Sequence, residues 1–333
     1  MNRRQFNQFA ARLGAVSLFT PALTSRAQVA NFPNKPITLL VAFAPGGPAD
    51  TMARAVAPGM STLLGQSVVV ENRPGANGKL AMQALLRAPR DGHTLAYISP
   101  SIMSIGPLID KDLGFDTIKD IQPLTTGLRG GLVVAVNPSM RVRNLKELVA
   151  YAKSRPGTLN YGSIGVGSTY HLSMEKLLVG LGIEATHIPY KGEAPAMTDL
   201  ISGTINMMLL SGGGKPFLDN GKLVAIAATG IKPTNSSPKT PLVRDSGIAG
   251  LTDYDETVWV GFGMARGAPP DTVSKLHGAL VKTLESDEVR KRLSNLSDIE
   301  TCTPEELQDI IRRELTTNRQ LIDKPSMKVP SAK

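Results

Sequence analysis

Two glycine-rich turns are the parts of the sequence best suited to binding a ligand. The first is Ala44-Pro45-Gly46-Gly47 and the second is Ile164-Gly165-Val166-Gly167-Ser168, and each follows an apolar run and precedes residues with helical spacing. Glycine lets main-chain N–H groups approach a ligand without a Cβ in the way. The helix N-terminus that follows adds unpaired donors and a partial positive charge. Each turn therefore predicts an anion site, suited to a carboxylate or a phosphate.

Polar side chains beside these turns are candidates for direct contact with such an anion. Ser168 and Thr169 place hydroxyls next to the N–H groups of the second turn, and Asp50 lies in the first turn of the helix after Gly47. An alternative interpretation is helix capping, since Ser, Thr and Asp are favoured at helix N-termini. The second turn has no following Lys and no third glycine. It therefore matches neither a phosphate-binding loop nor a dinucleotide fingerprint.

Catalytic chemistry has little support in the sequence. The four histidines lack metal-ligand spacing, and no Gly-x-Ser-x-Gly nucleophile motif occurs. Ser163 or Ser168 with His171 could supply a nucleophile and a base, but no third group that would orient the histidine is evident. We therefore expect a protein that is not an enzyme and that holds no metal or cofactor.

The elements that position the two turns alternate between strand and helix. Apolar and β-branched runs predict strands at 37–43, 67–70, 94–99, 132–136, 159–163, 185–188, 205–210, 224–228 and 258–265. Helical spacing and caps predict helices at 48–64, 80–86, 144–154, 168–181 and 195–201, with two more opening at Asp271 and at the capping box of Thr303 and Glu306. Strands separated by single helices predict a mostly parallel sheet.

The order strand, glycine turn, helix, strand occurs twice. It runs once through residues 37–70 and again through residues 159–188. Two such units predict two similar α/β lobes. Because ligands of open α/β sheets bind beyond the carboxyl ends of the strands, two facing lobes would place both turns on one cleft.

The first 27 residues have the pattern of a secretion signal. A basic start with Arg3-Arg4 leads into a weakly apolar stretch from Ala10 to Leu23, and Ser25-Arg26-Ala27 is a small-x-small cleavage site. The arginine pair is similar to a twin-arginine signal, and an ordinary secretory signal is the other route. An amphipathic helix of the folded domain is the alternative interpretation. We expect cleavage near Ala27, export to the periplasm and a mature chain that is not inserted in the membrane, since no other segment is long and apolar enough to span it.

The composition limits the kinds of partner that the protein is expected to bind. The 333-residue chain carries a formal net charge of +9, and four arginines with no acidic residue lie in the signal, so the mature chain carries +5. The basic residues are scattered and aromatic residues make up 5% of the chain, so no stacking platform for nucleic acid is expected. The remaining length suffices for two lobes with separate cores, and we expect a monomer.

Several motifs resemble those of one family, the Bug or tripartite tricarboxylate transporter substrate-binding proteins. They cover essentially all of the mature chain and are specific in combination. The motifs are Pro-Gly-Gly-x-x-Asp at 45–50, Glu-Asn-Arg-Pro-Gly at 71–75, Asp-Gly-His-Thr-Leu at 91–95, Leu-Asn-Tyr-Gly-Ser at 159–163, Gly-x-Gly-Ser at 165–168, Pro-Tyr-Lys-Gly at 189–192 and Trp-x-Gly at 259–261.

The resemblance implies a type II periplasmic-binding-protein-like fold, with two α/β lobes of mixed, mostly parallel sheets around a central ligand cleft. It implies a first lobe of residues 28–131 and 254–333 and a second lobe of residues 132–253, joined by crossing strands. It also implies capture of a small carboxylate, a di- or tricarboxylate or an aromatic acid, for a membrane permease of the tripartite tricarboxylate type. A receptor for a signalling partner and a secreted hydrolase are the alternatives.

The resemblance also implies where the ligand lies. One carboxylate is expected at the turn of residues 165–169, and the other end of the ligand at the turn of residues 43–47. Leu210 stands where relatives commonly carry an Asp, so a ligand without a cationic group is expected there. The implied ligand-binding residues are Phe43, Ala44, Pro45, Gly46, Gly47, Asp50, Ser99, Ser163, Gly165, Val166, Gly167, Ser168, Thr169, His171, Tyr190 and Leu210.

Overall fold

The computed structural model describes residues 32–234 and 237–323, and its strands form two separate sheets. The predicted secretion signal, residues 1–27, lies outside the described residues. In the first sheet the strands are β1 (Ile37–Val41), β2 (Val68–Asn72), β3 (Thr94–Ile98), β4 (Ile121–Gly131), β10 (Thr257–Ala265) and β11 (Asp298–Ile299). In the second sheet they are β5 (Val133–Val136), β6 (Asn160–Ser163), β7 (Thr186–Pro189), β8 (Met207–Leu210) and β9 (Val224–Ala228).

Helices connect the strands and cover the sheets. They are α1 (Pro48–Leu64), α2 (Lys79–Arg87), α3 (Gly106–Ile109), α4 (Leu145–Ser154), α5 (Thr169–Leu181), α6 (Glu193–Ser202), α7 (Lys215–Asp219), α8 (Pro270–Leu284), α9 (Asp287–Leu293) and α10 (Pro304–Ile322). A π-helical turn, Ser101–Ile105, precedes α3. We call the first sheet with its helices the first lobe, and the second sheet with its helices the second lobe. Among the described residues, no helix is both long enough and apolar enough to cross a membrane.

Both sheets are mixed, as predicted, but parallel pairing does not dominate. The spatial orders are β11-β4-β10-β3-β1-β2 and β7-β6-β8-β5-β9. Between the described strands, four pairings are parallel and five are antiparallel. Strand–helix–strand units account for the parallel pairs, whereas β4, β5, β9 and β10 arrive by other connections and run antiparallel to their neighbours. The prediction of mostly parallel sheets is corrected accordingly.

Helix α1 shows how the local sequence produces a predicted element. Pro48 stands at the first helical position, where its missing N–H removes no hydrogen bond. Met52, Val56 and Met60 follow at intervals of four and are fully buried, so they form one apolar stripe against the core of the first lobe. Gly65 ends the helix in the left-handed conformation with φ of 69°.

Strand β4 is the longest of the elements that the sequence does not predict. Its eleven residues include Pro123, paired threonines and three glycines, so no apolar run or clean alternation marks it. It forms because β10 pairs with it from Gly131 to Ile121, with two register shifts on the way. Pairing partners distant in the chain therefore decide this strand, and local propensity does not.

Thr229 joins the segments that cross between the two lobes. Leu132 lies between β4 of the first sheet and β5 of the second, and Glu256 directly precedes β10 of the first sheet. The Thr229 Oγ1 accepts from the Leu132 N–H (2.8 Å) and donates to the Glu256 carbonyl (2.9 Å). Main-chain bonds link the same three residues. The Thr229 side chain is fully buried, so these bonds form without competition from water.

Replacing Thr229 by valine is expected to lower the free energy of unfolding by about 2 kcal/mol. The substitution preserves side-chain shape but leaves the buried Leu132 N–H and the part-buried Glu256 carbonyl without their partner. Urea unfolding monitored by circular dichroism measures the change. Thr317→Val on the exposed face of α10 is the control, and it should change stability by less than about 0.5 kcal/mol. Equal effects from the two substitutions would contradict the bridging role.

Candidate ligand-binding site

A cleft lies between the two lobes, and Ala44 and Gly47 of the first glycine turn line it. Its unfilled volume is about 810 Å³, including the part open to solvent. The first lobe contributes Phe43, Ala44, Gly47 and Ser99 to its lining, and the second lobe contributes Thr169 opposite them. These five predicted site residues are brought together here, whereas Pro45 and Gly46 do not line the cleft.

The lobes touch each other beside this cleft. The side-chain amide of Asn77 donates to the Gly167 carbonyl at 3.1 Å. The Ser101 hydroxyl of the first lobe lies 3.0 Å from the Thr169 hydroxyl of the second and accepts from the Thr169 N–H at 2.8 Å. These hydrogen bonds join the two walls of the cleft directly and narrow it.

Asp50 stabilises its own turn. It is 5% exposed, and its Oδ2 accepts from the Gly46 N–H (3.1 Å) and from Arg54 Nε (2.9 Å). Burial alone would raise the pKa of Asp50, but the hydrogen bonds from Arg54 and Gly46 outweigh it and the pKa is lowered. The carboxylate thus holds the first glycine turn in shape without capping α1, which has no side-chain cap hydrogen bond. Ligand contact by Asp50 stays a prediction.

The main-chain donors of the second turn are largely occupied. The Gly165 N–H donates to Ser163 Oγ (3.1 Å), the Gly167 N–H to His171 Nδ1 (3.0 Å) and the Thr169 N–H to Ser101 Oγ. Ser168 caps α5 through its Oγ, which accepts from the His171 N–H at 3.2 Å. The glycines predict a row of free main-chain N–H groups at this turn. In this arrangement those N–H groups already donate to nearby side chains, so the turn does not present them to a ligand.

Ser99 provides the clearest vacant hydrogen-bonding position in the cleft. It follows β3, is 5% exposed and lines the cleft. Its Oγ has no hydrogen-bond partner among the described residues. A buried hydroxyl without a partner costs about 1–3 kcal/mol, so a bound acceptor group here would recover that free energy.

Sequence reasoning missed one acidic side chain in the cleft, Glu193 at the start of α6. It is 4% exposed, and Tyr170 donates its hydroxyl to Oε2. The Ser211 N–H also donates to Oε2 (3.2 Å) and the Ser211 hydroxyl to Oε1 (3.1 Å). Burial raises the pKa of Glu193 despite these hydrogen bonds. An acid in the first turn of a helix is common for dipole reasons, so nothing local distinguishes this one.

His171, His187 and Ser163 pack behind the second turn. They line neither this cleft nor a second cavity that adjoins it at Phe43. The imidazole rings stack with centroids 3.8 Å apart, and Ser163 Oγ lies 2.6 Å from His187 Nε2. Burial lowers the pKa of His171 to about 3, with a contribution from His187, and lowers that of His187 to about 4. Ser163 therefore pairs with a different histidine from the one considered in the sequence. No carboxylate accepts from either ring among the described residues, so the hydrolase interpretation gains no triad.

The second cavity adjoins the cleft at Phe43. Gly165, Val166 and Tyr190 line it, and the Tyr190 hydroxyl donates to Asp199 at 2.7 Å. No group of three or more metal-ligating side chains occurs in the described part of the chain.

Leu210 has a different place from the one expected. Its side chain is fully buried in the apolar core of the second lobe with Ala196 and Leu200. Successive side chains of a strand point to opposite faces, and the next residue, Ser211, is the one that lines the cleft. The inference that Leu210 presents apolar surface to the ligand is corrected by this placement.

The chain forms two α/β lobes that face each other across a cleft. Crossing segments join the lobes, and each wall of the cleft carries a glycine turn. This arrangement defines the class of periplasmic-binding-protein-like solute receptors. Residues 52–327 match a family model whose description is "Tripartite tricarboxylate transporter family receptor". The chain therefore belongs to this family of solute-binding receptors.

Individual relatives agree with this assignment. A Cupriavidus necator protein described as "UPF0065 protein in gbd 5'region" is 34% identical over 88% of each chain. The periplasmic binding protein BugD is 28% identical with a TM-score of 0.82, covering 89% of this chain and 99% of its own. An R. palustris protein solved with adipate is 29% identical (TM-score 0.81, 87% and 97% covered). MatC from Rhodopseudomonas palustris, with bound malate, is 27% identical (TM-score 0.80, 88% and 100% covered).

Proposed function

We propose that this protein captures a small carboxylate between its lobes in the periplasm and delivers it to a permease of the tripartite tricarboxylate type. The observation that carries the proposal is the unpartnered Ser99 hydroxyl, buried in a cleft whose opposite wall is formed by Thr169. A carboxylate oxygen is the acceptor that such a hydroxyl and the neighbouring helix N-terminus favour.

The family supports the chemistry and the location. Two relatives of the same fold were solved with the dicarboxylates adipate and malate. BugD is a periplasmic binding protein, and the first 27 residues of this chain have the pattern of an export signal. The family description names a receptor of the tripartite tricarboxylate transporter family, which supports delivery to a permease of that type. Together these support a receptor that closes on its solute outside the cytoplasm.

A thermal-shift screen over carboxylates, followed by titration calorimetry, tests the proposal. A ligand at a hundred times its Kd should stabilise the folded state by about 2.7 kcal/mol and raise Tm by several degrees. Ser99→Ala should weaken binding of the best ligand by about tenfold or more, since a hydrogen bond to a charged group is worth about 1.5–3 kcal/mol. Ser202→Ala, on an exposed helix end of the second lobe, is the control. Failure of every carboxylate to shift Tm would overturn the proposal.

A further inference from the structure

The charge balance of the cleft does not favour a second carboxylate on the ligand. Glu193 is the one acidic residue in the described lining, and that lining includes no Lys, Arg or His. No ion pair involving Glu193 is found within residues 32–234 and 237–323. Most of the remaining lining is aliphatic or aromatic. A second carboxylate placed in this chamber would meet an acid and no compensating cation.

The hydrogen bonds of Glu193 fit an acceptor. The Tyr170 hydroxyl and the Ser211 N–H both donate to Oε2, and the Ser211 hydroxyl donates to Oε1. Oε2 is thus used twice, whereas Oε1 has one described donor and retains accepting capacity. These three donors are all neutral, so they leave a buried acidic group without an opposite charge.

Across the cleft from this acid stand an aromatic and a hydroxyl side chain of the first lobe. Tyr97 and Ser99 are two residues apart at the end of β3, and both line the cleft. Tyr97 lies close enough to Glu193 for their electrostatic coupling to raise the tyrosine pKa further, after burial. One end of the cleft therefore has the Ser99 hydroxyl as a hydrogen-bond donor, and the opposite wall has the Glu193 carboxyl group as an acceptor.

We infer that Glu193 makes the cleft select monocarboxylates that carry a hydrogen-bond donor, an ammonium or a hydroxyl group, at the end away from the carboxylate. The inference rests on the proposed function and names its ligand class. The carboxylate lies at Ser99 and Thr169, and the donor end is bound at Glu193 Oε1. An ammonium group supplies the missing positive charge, whereas a plain dicarboxylate places like charges together. This reverses the ligand class expected from Leu210.

Matched ligands test the inference on the native protein. For each chain length from succinate to adipate, the plain dicarboxylate, the ω-hydroxy acid and the ω-amino acid are compared by titration calorimetry. We expect the ω-amino or ω-hydroxy acid of the preferred length to bind at least about tenfold more tightly than the dicarboxylate of that length. Equal or tighter binding of the dicarboxylate overturns the inference and leaves the proposed function standing. Binding by none of the three classes overturns the inference, and it refutes the proposed function only if every carboxylate in the thermal-shift screen also fails to bind.

Glu193→Gln then assigns the preference to this residue. The variant should lose about tenfold or more in affinity for the ω-amino acid and gain affinity for the dicarboxylate. Glu175→Gln is a matched control, because Glu175 is also a buried acid of the second lobe that accepts a tyrosine hydroxyl, from Tyr161, and it does not line the cleft. A native-like ligand preference in Glu193→Gln contradicts the assignment. If that variant fails to fold, the ligand comparison on the native protein still tests the inferred ligand class.

Discussion

Replacing Gly167 by alanine should hold the two lobes apart and weaken ligand binding by roughly tenfold to a hundredfold, which corresponds to about 1–3 kcal/mol of overpacking. A Cβ at Gly167 would lie 1.5 Å from Ile109 Cδ1 and 3.0 Å from Cγ1. Ile109 belongs to the first lobe and is 4% exposed, so it has little room to move aside. The clash arises only when the lobes meet. It should therefore reduce affinity for any ligand held by closure.

Backbone strain must be separated from this clash. Gly167 has φ of +70°, a conformation that disfavours alanine whether the cleft is open or closed. Gly182, at the end of α5, has φ of +63° and open space where an alanine methyl group would lie, so Gly182→Ala carries similar strain without the contact. It should lower stability slightly and leave affinity unchanged. Adding Ile109→Ala to Gly167→Ala should restore part of the lost affinity. Native affinity in Gly167→Ala alone would mean that the ligand-bound form does not use this contact.

Acid should destabilise the protein through its stacked histidines. Burial lowers the folded-state pKa values of His171 and His187 to about 3 and about 4, from an ordinary value of 6.5. A lowered histidine pKa means that the folded state favours the neutral ring, so this contribution is complete above pH about 6.5 and is lost as the pH falls towards the folded-state values. Each pKa unit corresponds to about 1.4 kcal/mol, and each ring contributes roughly two units or slightly more between pH about 6.5 and pH about 4, so the pair should cost on the order of 6 kcal/mol by pH about 4.

Urea unfolding across this pH range measures the effect. His187→Phe keeps an aromatic ring for stacking on His171 but cannot take up a proton, so the loss of stability with falling pH should be about half as steep as in the native protein. The variant also loses the contact with Ser163, which lowers stability at every pH without changing the slope. An unchanged slope would show that the buried pair does not control acid unfolding.

Much of the secondary structure could be predicted because its causes are local. Asn144 caps α4 through the Glu147 N–H, as its sequence position predicts. Thr303 and Glu306 form the predicted capping box at α10. Helical spacing predicts a helix over residues 48–64, and α1 has these bounds. Caps, turns and apolar periodicity each act over a few residues, so the chain carries them without reference to distant partners.

The two glycine turns could be recognised from sequence for the same reason, but the state of their donors could not. Whether the Thr169 N–H is free depends on Ser101, which lies 68 residues earlier in the chain and reaches it only when the lobes meet. The acid at Glu193 looks like an ordinary helix-start residue until Tyr170 and Ser211 converge on it. Contacts of this kind depend on the packing of the two sheets.

Sequence patterns thus predict two α/β lobes, two glycine turns suited to anions and an N-terminus suited to export, because each of these predictions follows from the chemistry of neighbouring residues. Long-range packing decides the rest. It pairs β4 with β10, turns Leu210 into the core and Ser211 towards the cleft, and buries Glu193 with no cation beside it in the described lining of the cleft. Side-chain direction at a strand end and the charge balance of a cleft are set by which elements pack together, so they emerge only in the folded protein.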